Sequence, residues 1–254
     1  VASAMLSAFY KRAVTVDAAI VLPKEYYKEL TRKFPVHFIV SGFGGNYHRY
    51  SGKNEMSTPL DTTACITVFL DGNCPTGHSV YANSECNGAR LLSGHSSGGW
   101  TVLWLQVNYP LTFAGCWSSA PDPVDFRNFQ KVNLYADKNM FYDDKNELRV
   151  DASVGGRIPW SYLKDAYRIE NVIYRGEQYA SFNAVFGKKA KDGSPEKIAN
   201  MTTGEIDREV VAHWKAYDIS FLVRNNWQQL KPDLDNKIRV STGNHDNYFL
   251  NKAV

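Results

Sequence analysis

Gly94-His95-Ser96-Ser97-Gly98-Gly99-Trp100 decides the fold, because it sets G-x-S-x-G between an apolar strand and an apolar helix. A serine at the centre of this pattern sits on a tight strand-to-helix turn, a nucleophile elbow, that projects its hydroxyl. Glycine on either side lets the strand and helix backbones approach closely. The five-residue pattern alone also occurs in ordinary turns. Here Leu91-Leu92 leads into it, and the apolar run 100–107 follows and stops at Asn108-Tyr109-Pro110, as a helix end does. Ser96 is therefore the candidate nucleophile. Its neighbours Ser93 and Ser97 carry hydroxyls without the central position.

Outward from this turn, short apolar runs recur. In 14–22 the even positions are Val14, Val16, Ala18, Ile20 and Leu22, a period-2 face that suits a half-buried strand near a sheet edge. Runs 36–40, 66–70 and 113–117 follow the same reading, and 237–241 closes the series with Ile238 and Val240 on one face. Ile219, Leu222, Val223, Trp227 and Leu230 fall at helical spacing. Strands alternating with helices predict an α/β class protein, a mostly parallel twisted sheet with helices on both faces. Together with the serine turn, this predicts the α/β-hydrolase fold.

The segment 122–230 is far longer than one crossover needs. We read 1–254 as a single domain with 128–215 as a cap or inserted segment before the last strand. A second irregularity lies at 72–88, which joins the third strand to Leu91 without a helical pattern. A parallel crossover takes ~10–12 residues or more and is usually helical. A covering helix is expected to be missing between Gly88 and Ala89, as a break in the recorded chain.

Composition narrows the class. Of 254 residues, 44% are hydrophobic and 22% charged, close to globular averages and unlike a disordered chain. No run reaches the ~18 apolar residues of a membrane span, so the chain reads as soluble. A net charge of +3 is too small and dispersed to argue for nucleic acid. Lys188-Lys189-Ala190-Lys191 reads as a solvated loop. Cys65, Cys74, Cys86 and Cys116 form no C-x-x-C pair, so no zinc knuckle is indicated. Cys74 and Cys86 could pair in an exported protein, and two free thiols are an equal reading.

The start at Val1 suggests processing or trimming, and the localisation reading leans to the extracytoplasmic side. Asn200-Met201-Thr202 is a glycosylation triplet of a kind common by chance. Asp143-Asp144-Lys145-Asn146 lacks the spaced ligands of a calcium loop and reads as a hairpin turn. Aromatics at 13% are plentiful in the second half. Trp160, Tyr162, Tyr167, Tyr174, Tyr179, Phe182 and Phe186 suit either a cleft wall or ordinary core.

Acyl transfer by a serine needs donors for the developing oxyanion. One is the N–H of Ser97, the residue after the nucleophile. The other is expected from Gly42-Phe43-Gly44-Gly45 after the second strand, with Phe43 the donor because Gly42 serves the turn. The loop lacks the Lys-Ser/Thr ending of a phosphate-binding loop. In this fold the acid follows a late strand, and Gly243-Asn244-His245-Asp246 offers Asp246. A carboxylate there would orient an imidazole and stabilise it once charged. The competing reading is a turn aspartate.

The six histidines are His37, His48, His78, His95, His213 and His245, so none follows Asp246. His95 lies inside the elbow and points away from the serine hydroxyl. His245 is the fallback base, although adjacent side chains rarely face each other. The base is otherwise expected beyond the recorded chain.

These residues resemble a family of α/β-hydrolase esterases that includes esterase D-like enzymes, feruloyl esterases and mycolyltransferases. Ala19-Ile20-Val21-Leu22-Pro23-Lys24-Glu25-Tyr26 looks like that family's entry strand. Phe34-Pro35-Val36 through Gly45 is similar to its oxyanion segment, with Ser41 where histidine is common. The elbow matches closely, and Ser118-Ser119-Ala120-Pro121-Asp122-Pro123-Val124-Asp125-Phe126 looks like a subgroup signature. Gly243-Asn244-His245-Asp246-Asn247-Tyr248-Phe249-Leu250 resembles the segment that carries the family acid, at Asp246.

The resemblance implies a two-step acyl-enzyme mechanism on a small-molecule or carbohydrate-linked ester, with no metal and no organic cofactor. Acyl transfer to a sugar or other alcohol would use the same residues. A non-catalytic carbohydrate- or surface-binding relative is the reading from another class. Oligomeric state stays open.

Overall fold

A computed structural model of the chain describes residues 2, 7–8, 11–15, 17–28, 31–42, 44–47, 65–71, 73–74, 77–78, 90–173 and 177–254. They divide into two compact units, Val1–Ser118 with Leu234–Arg239 and Ser119–Asp233 with Val240–Val254.

The first unit is built on a sheet. Its strands are β1 (Ala18–Val21), β2 (Val36–Val40), β3 (Ile66–Leu70), β6 (Arg90–His95), most of β7 (Gly115–Ser119) and the first half of β10 (Ile238–Ser241), in the order β1-β3-β2-β6-β7-β10. A two-residue ladder pairs β4 (Asn73–Cys74) with β5 (Gly77–His78). β2 lies parallel to both β3 and β6, and β1 pairs antiparallel with β3 at the edge. The edge position explains the half-exposed alternation of β1, since one side has no neighbour strand. In β3, alternate residues are buried, and Thr67 and Phe69 point inward.

One helix decides the packing of this unit. α1 (Ser97–Asn108) is buried on nearly every side, with Trp100, Val102, Leu103, Leu105 and Val107 all in the core. A helix apolar all round must be enclosed. Its end falls where the sequence predicts, with the Tyr109 N–H on the Leu105 carbonyl and Pro110 next. The strand expected at 113–117 begins two residues later, at Gly115. Phe113 instead sits in the core, and its carbonyl accepts the Gln106 amide at 3.3 Å. Ser118 ties β7 to the helix by donating to the Gly99 carbonyl at 2.9 Å. Burial pushes the Cys116 thiol on β7 up to about 12, against the backbone hydrogen bond and charge of Arg239, so it stays protonated.

The second unit contains a hairpin, β8 (Val150–Val154) and β9 (Ile158–Tyr162), and the helices α2 (Leu163–Ile173), α3 (Gln178–Phe186), α4 (Arg208–Trp214) and most of α5 (Ile219–Leu234). Its core is aromatic: Phe126, Phe129, Phe182, Phe186 and Trp214 make edge, tilted and stacked contacts at ring-centroid distances of 5.1–6.1 Å. Tyr167 stacks on Tyr179 at 4.3 Å. Of the aromatics that suited a cleft or a core, Tyr167, Tyr179, Phe182 and Phe186 are core, whereas Trp160 is 70% exposed. Tyr174 lies outside the described residues.

Two buried carboxylates organise the unit. Asp218, fully buried, accepts the Phe221 N–H at the start of α5, the Phe126 N–H, and the Tyr135 hydroxyl at 2.7 Å. Asp151 on β8 accepts the Ser161 hydroxyl at 2.7 Å and the Tyr179 hydroxyl. α5 kinks at Asn226, where the Asn225 and Asn226 side chains donate to the carbonyls four residues earlier. Side-chain bonds of this kind bend helices. Segment 143–147 is a turn, as the sequence predicts, with the Asp143 carboxylate accepting the N–H of Lys145 and Glu147. Among the described residues, no helix is long and apolar enough to cross a membrane.

Candidate active site

The turn between β6 and α1 is strained at one residue. Ser96 has φ 57° and ψ −123°, a conformation that a residue with a Cβ rarely adopts. The residues around it explain why the turn cannot relax. A Cβ on Gly94 would lie 2.2 Å from the Gly98 carbonyl oxygen, and one on Gly98 would lie 2.4 Å from that of Val40. Strand, turn and helix therefore meet backbone to backbone, and only glycine fits at 94 and 98. A strained serine between a central parallel strand and an enclosed helix is the signature of one architecture. The fold is that of the α/β-hydrolases.

Gly42, just after β2, lies beside Ser96. A Cβ on Gly42 would meet the His95 carbonyl oxygen at 2.9 Å and the Ser96 Cβ at 3.5 Å, so this backbone runs against the serine turn. The Gly45 N–H bonds the Gly42 carbonyl at 2.9 Å, and Gly44 takes φ 68°, a left-handed value that glycine adopts without steric cost. Ser41, the departure from the resembled family, is buried and donates to the Gly45 carbonyl at 3.1 Å, which fixes the loop from within. Phe43, the second expected oxyanion donor, lies outside the described residues. Ser97 opens α1, and its amide sits at the positive end of that helix.

Asp246 belongs to the second unit, in the turn after β10. Its Oδ1 accepts the N–H of Tyr248 at 2.9 Å and of Leu250 at 3.1 Å. Among the described residues, no histidine donates to this carboxylate. His245 is exposed, and its backbone presses on Gly156, where a Cβ would come within 3.2 Å. His95 is exposed at the end of β6, and His213 is half-buried on α4 near Tyr217. His48 and the side chain of His78 lie outside the description, as do the pairing of Cys74 with Cys86 and the break expected at Gly88–Ala89.

His37 is different, and sequence reasoning missed its partner. It lies on β2 and shares a 2.9 Å hydrogen bond with Ser93 of the neighbouring β6, three residues before Ser96. Burial lowers its pKa, which favours the neutral ring. The signal was present in the parallel register, which pairs His37 with Leu91 and so sets it diagonal to Ser93 on the same sheet face.

No family model matches the chain, and no curated protein does. Among solved structures, it is similar to an S-formylglutathione hydrolase from Agrobacterium tumefaciens, with 12% identity, 93% of this chain and 85% of that one covered, and a TM-score of 0.42. It is also similar to a Paleococcus ferrophilus monoacylglycerol lipase, with 12% identity, coverage of 91% and 89%, and a TM-score of 0.38. A third likeness, to Est1E from Butyrivibrio proteoclasticus, has 15% identity and a TM-score of 0.29. It spans less than half of either protein, 42% of this chain and 46% of that one. At these identities and scores, the likenesses assign no residue a role.

Proposed function

We propose that this chain is a serine carboxylic ester hydrolase that works through an acyl-enzyme on Ser96. The observation that carries the reading is the strained Ser96 backbone, clamped by Gly94 and Gly98. Strain of this kind persists only where the surroundings over-determine it, and it gathers at functional sites.

In the proposed mechanism, the Ser96 Oγ attacks the ester carbonyl as a histidine takes its proton. The tetrahedral oxyanion is held by the amides of Ser97 and Phe43, where preorganised donors stabilise charge without reorganisation. Collapse breaks the acyl–oxygen bond, and the alcohol leaves with the proton. Water then repeats the cycle and frees the acid. Asp246 orients the imidazole. The two amide bonds to Oδ1 support that role, because they fix the carboxyl plane and leave Oδ2 available to a ring N–H. His245 is the fallback base. Acyl transfer to an alcohol would share every residue, with the alcohol in place of water.

The test is hydrolysis of a short-chain p-nitrophenyl ester. Ser96→Ala and Asp246→Asn should each lower kcat/KM by on the order of 10³-fold or more. His245→Ala separates the two readings of the base, with a comparable loss expected only if His245 fills that role. Full activity in Ser96→Ala would end the proposal. Full activity in Asp246→Asn would return that residue to a turn aspartate.

A further inference from the structure

We propose that Asn200 accepts an N-linked glycan when the chain is made in a glycosylating secretory compartment. Asn200-Met201-Thr202 is the chain's one Asn-X-Ser/Thr triplet, the motif that N-glycosylation requires. The triplet alone would be a chance match, and its place in the fold is what carries the inference. The Ala199–Ile206 bridge closes a hairpin loop with the triplet along one edge. The Asn200 N–H bonds the Glu205 carbonyl at 2.8 Å, and the Gly204 N–H returns to the Asn200 carbonyl at 2.8 Å.

The two edges of this loop differ. On the Gly204 edge, the Met140 N–H bonds the Gly204 carbonyl at 2.7 Å, and a Cβ on Gly204 would stand 2.5 Å from the Phe141 ring. That edge is packed. On the other, Asn200 and Thr202 are exposed, above the buried Ile198 and Ala199. A bulky glycan here displaces no packed atom.

The acceptor amide is also presented in a defined way. Its Oδ1 accepts the Thr202 N–H at 2.9 Å and the Thr203 N–H at 3.0 Å, an Asx turn that fixes the carboxamide plane and draws Thr202 beside it. Among the described residues, neither Asn200 Nδ2 nor the Thr202 hydroxyl takes part in a hydrogen bond. In the transfer, Nδ2 displaces pyrophosphate from the first sugar of a lipid-linked oligosaccharide pyrophosphate supplied by the host. An N–C bond forms, the C–O bond to pyrophosphate breaks, the amide gives one proton to a base, and the lipid pyrophosphate leaves.

The full chain, expressed behind a secretion leader in a glycosylating eukaryotic host, tests this. Protein from medium and from microsomes is compared by mass before and after peptide N-glycosidase F. The expected result is a glycan mass on the tryptic peptide 198–208 that the glycosidase removes, leaving an aspartate at the acceptor position. Thr202→Ala and Asn200→Gln should lose it completely, and Thr202→Ser should keep it. Thr202→Ala retains the backbone N–H of the turn at an exposed position, so loss of the glycan there is not loss of the fold. Unmodified Asn200 in both fractions, or a glycan that survives Thr202→Ala, overturns the proposal.

Discussion

Ser96 holds φ at 57° although it carries a Cβ, a conformation that costs roughly 1–3 kcal/mol. The cost separates two substitutions that both remove the hydroxyl. Ser96→Ala keeps the Cβ and the strain. Ser96→Gly removes both, at the expense of a more flexible unfolded chain. Ser96→Gly should therefore be more stable than Ser96→Ala by about 1 kcal/mol in chemical denaturation. An alanine variant at least as stable would mean that the turn is relaxed. Gly98→Ala should have the opposite effect. Its Cβ would fall 2.4 Å from the Val40 carbonyl, where backbone cannot yield, and a loss of about 3 kcal/mol or failure to fold is expected. A Gly98→Ala chain with an unchanged denaturation midpoint would contradict this close approach. The serine was legible in the sequence because these contacts leave only glycine at 94 and 98. For Asp246 the sequence leaves two readings, because an aspartate that caps a turn and one that orients an imidazole read alike.

In the second unit, Asp125 links the loop after β7 to α5. Its carboxylate is paired with Arg127 at 2.5 Å and Arg224 at 3.2 Å, and it accepts the Ser220 hydroxyl at 3.3 Å. Burial acts to raise its pKa, but the hydrogen bonds and charge of Arg127, with a hydrogen bond from Arg224, prevail and hold it at about 2. A depressed carboxylate adds stability above its unfolded value of ~3.9 and loses it as pH falls through the folded value. Both guanidinium groups are about half exposed, so solvent screening leaves about 1 kcal/mol. Unfolding measured from pH 6 to pH 2 should show the parent ahead of Asp125→Asn, with the gap closing toward pH 2. A gap that does not change with pH would deny the ion pairs their role. Legibility divides the elements along similar lines. β2 and β3 were readable as short apolar runs, and α1 as a continuous one. The β8–β9 hairpin was not, because Asp151, Ala152 and Ser153 are buried in succession, Asp151 by bonding Ser161 and Tyr179 rather than by being apolar. Exposed Ile158 and Trp160 complete the disguise by reversing the usual sense of burial.

For the molecule as a whole, the parallel sheet, the enclosed helix after its central strand and the strained serine between them support one chemical claim, that Ser96 is a nucleophile able to hold an acyl group. The short apolar strands and the serine turn were foreseeable from apolar spacing and two glycines, whereas the strand order was not. The partition into two compact units was not, since its boundaries at Ser118–Ser119 and Asp233–Leu234 fall inside β7 and α5 rather than in a loop. Covalent capture tests the claim most directly. A fluorophosphonate probe is applied to the folded chain, and the modified peptide is mapped by mass spectrometry. The account predicts one stoichiometric adduct on the Ser96 hydroxyl, lost in Ser96→Ala and absent from denatured protein. An adduct on Ser93, Ser97 or Ser118 instead, or ester hydrolysis by a chain that Ser96→Ala leaves fully active, would contradict it.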